Sequence, residues 1–364
     1  MKQLGISIYP EYGFKEKDYD YMTKASELGF SRIFMCFLSV NPDHLEQAKT
    51  TYKEYIEFAH NLGFEVALDT NEIVFKELGA KITDLSVFKE MGVDILRLDV
   101  GFGMFGDMMI VKNTSGIKVE FNASFNSGMS LLLENGVPKE RILACHNFYP
   151  QKHTGLSFES FVNRTNELVS QNISVGAFVS SNNENTFGPW KNIESGLPTL
   201  EMHRGLPIDA QARHLVSLGN IDTIIIGNAY ATDEELKSLS DINFENSSIR
   251  IDYDRELDSN EAKILFVDNH FIRPDSSDYL YRSLTSKMVA KNMSIKPCVS
   301  DRAFFQRGDV LIINDNLKRY AGEVQIVTDT IPNEGYQNFV GSIPKNEMMI
   351  LNEIKAGSSV TFLR

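Results

Sequence analysis

The stretch Asp94-Ile95-Leu96-Arg97-Leu98-Asp99-Val100-Gly101-Phe102 decides how this chain folds. Leu96, Leu98 and Val100 alternate with Arg97 and Asp99. Successive side chains of a strand point to opposite faces. A strand here therefore has one apolar face and one face holding a cation and an anion. On a half-exposed strand that charged pair would face water. In a closed parallel barrel the apolar face packs on outer helices, and Arg97 and Asp99 enter the lumen near its upper rim, inside a site.

The neighbouring sequence decides between these. Leu28-Gly29-Phe30, Leu62-Gly63-Phe64, Met91-Gly92-Val93 and Asn135-Gly136-Val137 each close an amphipathic segment just before an apolar one, and Gly219 plays the same part. Glycine past a helix end takes the left-handed conformation without steric cost, so each marks a helix stop ahead of a strand. The pattern predicts eight strands, near 4–10, 31–39, 64–71, 94–101, 117–124, 141–149, 173–181 and 222–229. Eight βα units read as an α/β (β/α)8 TIM barrel over residues 1–240. An open doubly wound sheet is the alternative, but no Gly-rich dinucleotide fingerprint is present, and no cofactor is expected. Beyond 240 the strands turn short and irregular: Ser248–Asp252, Lys263–Val267, Val310–Ile313, Gly322–Val327, Phe339–Ile343 and Ser359–Phe362. This predicts a second, mostly antiparallel all-β domain over 241–364, a small barrel.

Composition narrows the function. The chain of 364 residues carries a net charge of −13, which argues against nucleic acid or an anionic membrane as a partner. Three cysteines, without a C-x-x-C pair, read as thiols of a reducing compartment. With no apolar leader or long apolar run, a cytoplasmic location is expected. Oligomeric state is not readable.

In a TIM barrel the catalytic groups lie at the C-terminal strand ends. Strand parity brings three carboxylates together there, Asp69, Asp99 and Glu120, from consecutive strands. Glycoside hydrolysis uses two carboxyl groups across the scissile bond, so Asp99 and Glu120, with Asp69 beside them, are the catalytic candidates. A structural reading competes, in which Arg97 only neutralises Asp99, since buried charges are normally paired. Tyr9, Asn122 and Asn147 are placed to orient sugar hydroxyls, though the parity of the sixth strand leaves His146 and Asn147 open. A long seventh loop holds the chain's one tryptophan, Trp190, together with Glu201, His203 and Arg204, and reads as an ordered cover over the barrel mouth. Arg204, Ser180 and Asn228 are the candidates for holding a phosphate, because this fold binds phosphate after strands 7 and 8. Glu11, Arg97, Glu201 and His203 complete the expected substrate contacts. The seven histidines show no H-x-H or H-E-x-x-H pattern, so no metal is expected.

Gly5-Ile6-Ser7-Ile8-Tyr9-Pro10-Glu11, Arg97-Leu98-Asp99, Asn122-Ala123-Ser124 and, above all, Gly196-Leu197-Pro198-Thr199-Leu200-Glu201-Met202-His203-Arg204 resemble the MupG-type 6-phospho-N-acetylmuramidases. Arg319-Tyr320-Ala321-Gly322-Glu323-Val324-Gln325 and Asn338-Phe339-Val340-Gly341 resemble that family's C-terminal domain. The resemblance covers essentially the whole chain. It implies a TIM barrel followed by a cyclophilin-like β-barrel, in a cytoplasmic enzyme of cell-wall recycling. The implied substrate is the disaccharide N-acetylmuramic acid 6-phosphate–N-acetylglucosamine. A sugar-phosphate lyase or isomerase, or a non-catalytic sugar-phosphate-binding protein, are the alternatives.

Overall fold

The computed structural model describes residues 2–125, 128–190 and 195–363. Eight strands run parallel in chain order: β1 (Gln3–Ile8), β2 (Arg32–Cys36), β3 (Glu65–Thr70), β4 (Ile95–Leu98), β5 (Lys118–Asn122), β6 (Ile142–Cys145), β7 (Ser174–Val179) and β8 (Thr223–Ile226). β8 pairs back onto β1, so the sheet closes into a (β/α)8 barrel. Their content is mostly apolar or β-branched, as strands buried on both faces require. The helix-closing glycines Gly29, Gly63, Gly92, Gly136 and Gly219 all have positive φ, between 70° and 91°.

β4 is shorter than its sequence suggests. Leu96 and Leu98 are buried, but regular pairing stops at Leu98. The Asp99 amide still donates to the Thr70 carbonyl at 3.0 Å before the chain turns into helix Gly103–Val111. Val100 therefore leaves the barrel wall and is 64% exposed, contrary to the expectation that it packs with Leu96 and Leu98. Strand register aligns Cys36 with Asp69, Asp69 with Arg97, and Arg97 with Glu120. One layer of the barrel interior thus carries two acids and a base from β3, β4 and β5.

A first compact unit comprises Met1–Ala212 and Asn220–Ile242, and a second comprises Arg213–Gly219 and Asn243–Arg364. The second is mostly sheet. Its five-stranded antiparallel sheet runs in the spatial order Asp252–Tyr253, Gln337–Ser342, Asp309–Ile313, Val324–Val327, Leu280–Arg282. Phe305, Leu311, Val327 and Phe339 form a buried cluster there. The stretch Lys263–Val267, expected as a strand, instead falls largely in helix Ser259–Leu265. The cause is a capping box: the Asp258 carboxylate accepts from the Asn260 and Glu261 amides, and Glu261 accepts from the Asp258 amide. Such a cap contributes about 0.5–2 kcal/mol to a helix start, which outweighs the strand preference of a short apolar run.

Candidate active site

The charged layer of the barrel is organised by Arg97. Its Nη1 donates to Asp69 Oδ1 at 2.5 Å and lies 3.9 Å from Asp99 Oδ1, while Nη2 donates to Asn147 Oδ1. On its other edge, Nε faces Glu120 Oε1 at 3.8 Å. Glu120 Oε2 accepts from Arg32 Nη2 at 2.7 Å, and Arg32 Nη1 donates to Glu65 at 3.1 Å. Arg32, Arg97, Asp69 and Glu120 are all buried. Charges in such a place are tolerated only as partners, and these four are arranged with alternating sign.

A cavity of about 260 Å³ opens over part of this layer. Asp69, Arg97, Asp99 and Asn147 supply its polar wall, with Cys36 and Ser39. Leu38, Phe148, Pro150, Pro189 and Trp190 supply its apolar wall. Trp190, 56% exposed, presents an aromatic side chain to it. The two aspartates differ in setting. Burial pushes the Asp69 carboxyl up to about 6, against the pull of Arg97, and the negative charges of Asp99 and Glu120 push the same way. Asp99 keeps a third of its side chain, 33%, in contact with solvent. A buried acid whose pKa is raised toward neutrality, beside a second carboxyl group open to solvent, is an arrangement suited to acid-assisted bond cleavage.

The other expected contacts divide into three groups. Asn147 enters the cavity and Asn122 stands just behind, donating to the Asp99 carbonyl at 3.2 Å and accepting from the Ser124 amide. His146 turns away instead, against Thr165 and Phe161, and burial pushes its pKa down to about 3. Tyr9 and Glu120 are buried and do not line the cavity. The Tyr9 hydroxyl donates to the Gly227 carbonyl at 2.5 Å, and its ring is wholly buried. Glu11 lies to one side, accepting from Ser39 at 2.5 Å and Tyr52 at 2.8 Å; burial raises its pKa.

The phosphate candidates are not gathered at one surface. Ser180 and Asn228 are buried and bonded to each other at 3.2 Å, with Asn228 also bracing the Ser181 backbone. Leu197 N donates to Ser180 Oγ, so this pair anchors the seventh loop from below. Arg204 lines a second cavity, of about 760 Å³, with Lys152, His153, Asn182 and Asn183. Its guanidinium is already engaged by Glu201 and by the carbonyls of Tyr149, Gln151, Ser195 and Gly196. Glu201 in turn accepts from the His153 and Gly155 amides. His203 is buried in the turn Glu201–His203. Residues 191–194 of this loop lie outside the described residues.

Arg32, Phe148, Pro150 and Pro189 went unassigned by sequence. For Arg32 a signal existed: it shares the inward parity of Phe34 and Cys36 on β2, but at the strand's first residue, far from the end where catalytic groups are sought. Among the described residues, no three His, Cys, Asp or Glu side chains form a group suited to a metal ion, and no helix is long and apolar enough to cross a membrane.

The chain matches two family models: 6-phospho-N-acetylmuramidase, N-terminal, over residues 4–241, and 6-phospho-N-acetylmuramidase, C-terminal, over 247–363. It is similar to the crystal structure of an uncharacterized B. cereus protein, at 36% identity over 100% of this chain and 99% of that one, with a TM-score of 0.90. A conserved Enterococcus faecalis protein of unknown function shares the fold, at 23% identity over 99% of this chain and 96% of that one, with a TM-score of 0.71. No curated protein matches.

Proposed function

The chain belongs to the 6-phospho-N-acetylmuramidase family, and from that premise we propose that its barrel hydrolyses N-acetylmuramic acid 6-phosphate–N-acetylglucosamine, as a cytoplasmic step of peptidoglycan recycling. The observation that carries this reading is Arg97 Nη1 holding Asp69 at 2.5 Å and Asp99 at 3.9 Å on the wall of one cavity. Asp69 is the general acid, since its carboxyl, raised to about 6, holds a proton into the mildly acidic range to give to the leaving N-acetylglucosamine oxygen. Asp99 is the nucleophile. Two oxygens within 4 Å of one nitrogen favour the spacing of retaining carboxyl pairs, roughly 5–5.5 Å, over the roughly 6.5–9.5 Å of inverting ones. The reaction therefore proceeds with retention, through a glycosyl ester on Asp99 that water then opens.

Asn147 and Arg97 orient the sugar, and Trp190 packs on its apolar face. The larger cavity takes the phosphate, with Lys152 as the cation whose amine makes no ion pair among the described residues. Arg204 and Glu201 shape that cavity by fastening its two loop segments together, and Ser180 and Asn228 act from beneath. The second unit is a cyclophilin-like domain on this reading, supported by the match of the family's C-terminal model.

The test is mass spectrometry of the protein incubated with the 6-phosphorylated disaccharide and, separately, with its unphosphorylated form. Cleavage of the phosphorylated form with one water gained is expected. A product short of that water would indicate a lyase, and cleavage of neither form would defeat the proposal.

A further inference from the structure

We infer that Glu120, locked in place by Arg32, is a positioning residue that holds Arg97 by its Nε edge and so leaves both terminal nitrogens for Asp69, Asp99 and Asn147. The inference concerns the same site as the proposed hydrolysis, and rests on that reading for its catalytic meaning.

Geometry separates Glu120 from the reacting groups. It is 4% exposed and does not line the cavity that Asp69, Arg97 and Asp99 share. Its Oε2 is fixed by Arg32 at 2.7 Å. Arg32 is itself fixed at 3.1 Å by Glu65, which Lys118 also holds at 2.7 Å. The carboxylate therefore cannot swing toward a substrate. What it can reach is Arg97: Nε and Oε1 face each other at 3.8 Å, beyond hydrogen-bond length, and neither has another partner. Glu120 is thus a counter-ion divided between two buried cations. With Arg32 taking its share, Arg97 is held on that edge but not captured, and its Nη1 remains with Asp69. Without Arg32 the full anion would compete with Asp69 for Arg97. Without the Glu120 charge, Arg97 would bear more fully on Asp69 and Asp99.

The carboxyl of Asp69 reports this balance. The groups facing it are Tyr9 beyond β1, Cys36 on β2, Arg97 and Asp99 at β4, Glu120 on β5 and Cys145 on β6. Tyr9, Cys36 and Cys145 are all pushed up by burial and stay neutral through the acid range, so only Arg97, Asp99 and Glu120 act there as charges.

The experiment is a carbon-13 NMR titration of carboxyl-labelled aspartate in the full chain, with the Asp69 signal assigned by its loss in Asp69→Asn. Glu120→Gln is expected to lower the Asp69 midpoint from about 6 by roughly one unit. Arg32→Met is expected to raise it, but only while Glu120 is charged, so the double variant should titrate like Glu120→Gln. The double variant carries neither charge, and keeps the test alive if a lone buried charge prevents either single variant from folding. With the phosphorylated disaccharide, the basic limb of kcat/KM should move with each midpoint. Midpoints within a few tenths of the parent's in Glu120→Gln and in the double variant would overturn the inference. If the parent cleaves no disaccharide, the proposed reaction fails, while the titration still decides the role of Glu120.

Discussion

Two arginine–carboxylate pairs of the barrel unit are chemically alike and behave in opposite ways. Arg97 meets Asp69 at 2.5 Å, and Arg204 meets Glu201 at 2.7 Å. Burial nevertheless drives Asp69 up to about 6, whereas the Arg204 hydrogen bonds draw Glu201 down to about 2. The Asp69 side chain is 6% exposed and that of Glu201 is 27% exposed. Glu201 also accepts two backbone amides, which stabilise its anion. A cation alone therefore does not fix the protonation of its partner. Desolvation decides it for Asp69 and hydrogen bonding for Glu201. The first pair is suited to carry a proton in the proposed reaction, and the second fastens loop segments together.

The comparison can be broken at its catalytic end first. Asp99→Asn should reduce turnover of the phosphorylated disaccharide by more than the roughly 10²–10⁴-fold that a proton-transfer group supplies. Asp69→Asn should fall within that range, and should also erase the basic limb expected of the parent near pH 6 in kcat/KM. Steady-state kinetics across pH check both. An Asp69→Asn enzyme with an unchanged limb would remove the proton from this carboxyl.

A smaller effect is expected at the cavity rim. Trp190→Ala should raise KM about tenfold, equivalent to about 1.4 kcal/mol, with kcat changed less. A loss confined to kcat would show that Trp190 acts on the chemistry and not on binding.

The smallest effects lie in stability, with opposite signs for the two pairs. Asp69 holds its proton more tightly folded than unfolded. Its contribution is thus fully present below about pH 4 and is lost as pH rises to about 6. Glu201 is the reverse: its contribution is present above 4.5 and lost as pH falls toward about 2. Urea unfolding should therefore show Asp69→Asn gaining on the parent between pH 4 and 7. Glu201→Gln should lose ground to the parent as pH rises from about 2 to 4.5. Parallel curves would contradict the contrast.

Much of this is legible in the sequence. The strand count, the helix stops and the inward parity of Asp69, Arg97 and Glu120 follow from local pattern, because alternation and positive-φ glycine are local rules. What a sequence does not display is depth. Asp99 and Glu120 read as equivalent candidates, yet one reaches solvent and the other is clamped by Arg32, 88 residues away in sequence. That contact exists only once the β2 to β5 register is set. The phosphate candidates carry a second reading for a related reason. Small donor-rich turns after strands 7 and 8 suit an anion, but the same hydroxyls and amides also suit the anchoring of a long loop, as Ser180 and Asn228 do. Lys263–Val267 was ambiguous in a different way, since a short apolar run fits either a strand or a helix until its cap is recognised.

The working pair of Asp69 and Asp99 is tested most directly by proton NMR of the first-formed N-acetylmuramic acid 6-phosphate, recorded before the sugar mutarotates. Retention of the anomeric configuration is expected, because both Oδ1 atoms lie within 4 Å of one Arg97 nitrogen, which favours the closer spacing of retaining pairs, roughly 5–5.5 Å. An inverted first product would contradict this pairing and require a second carboxyl farther from Asp99.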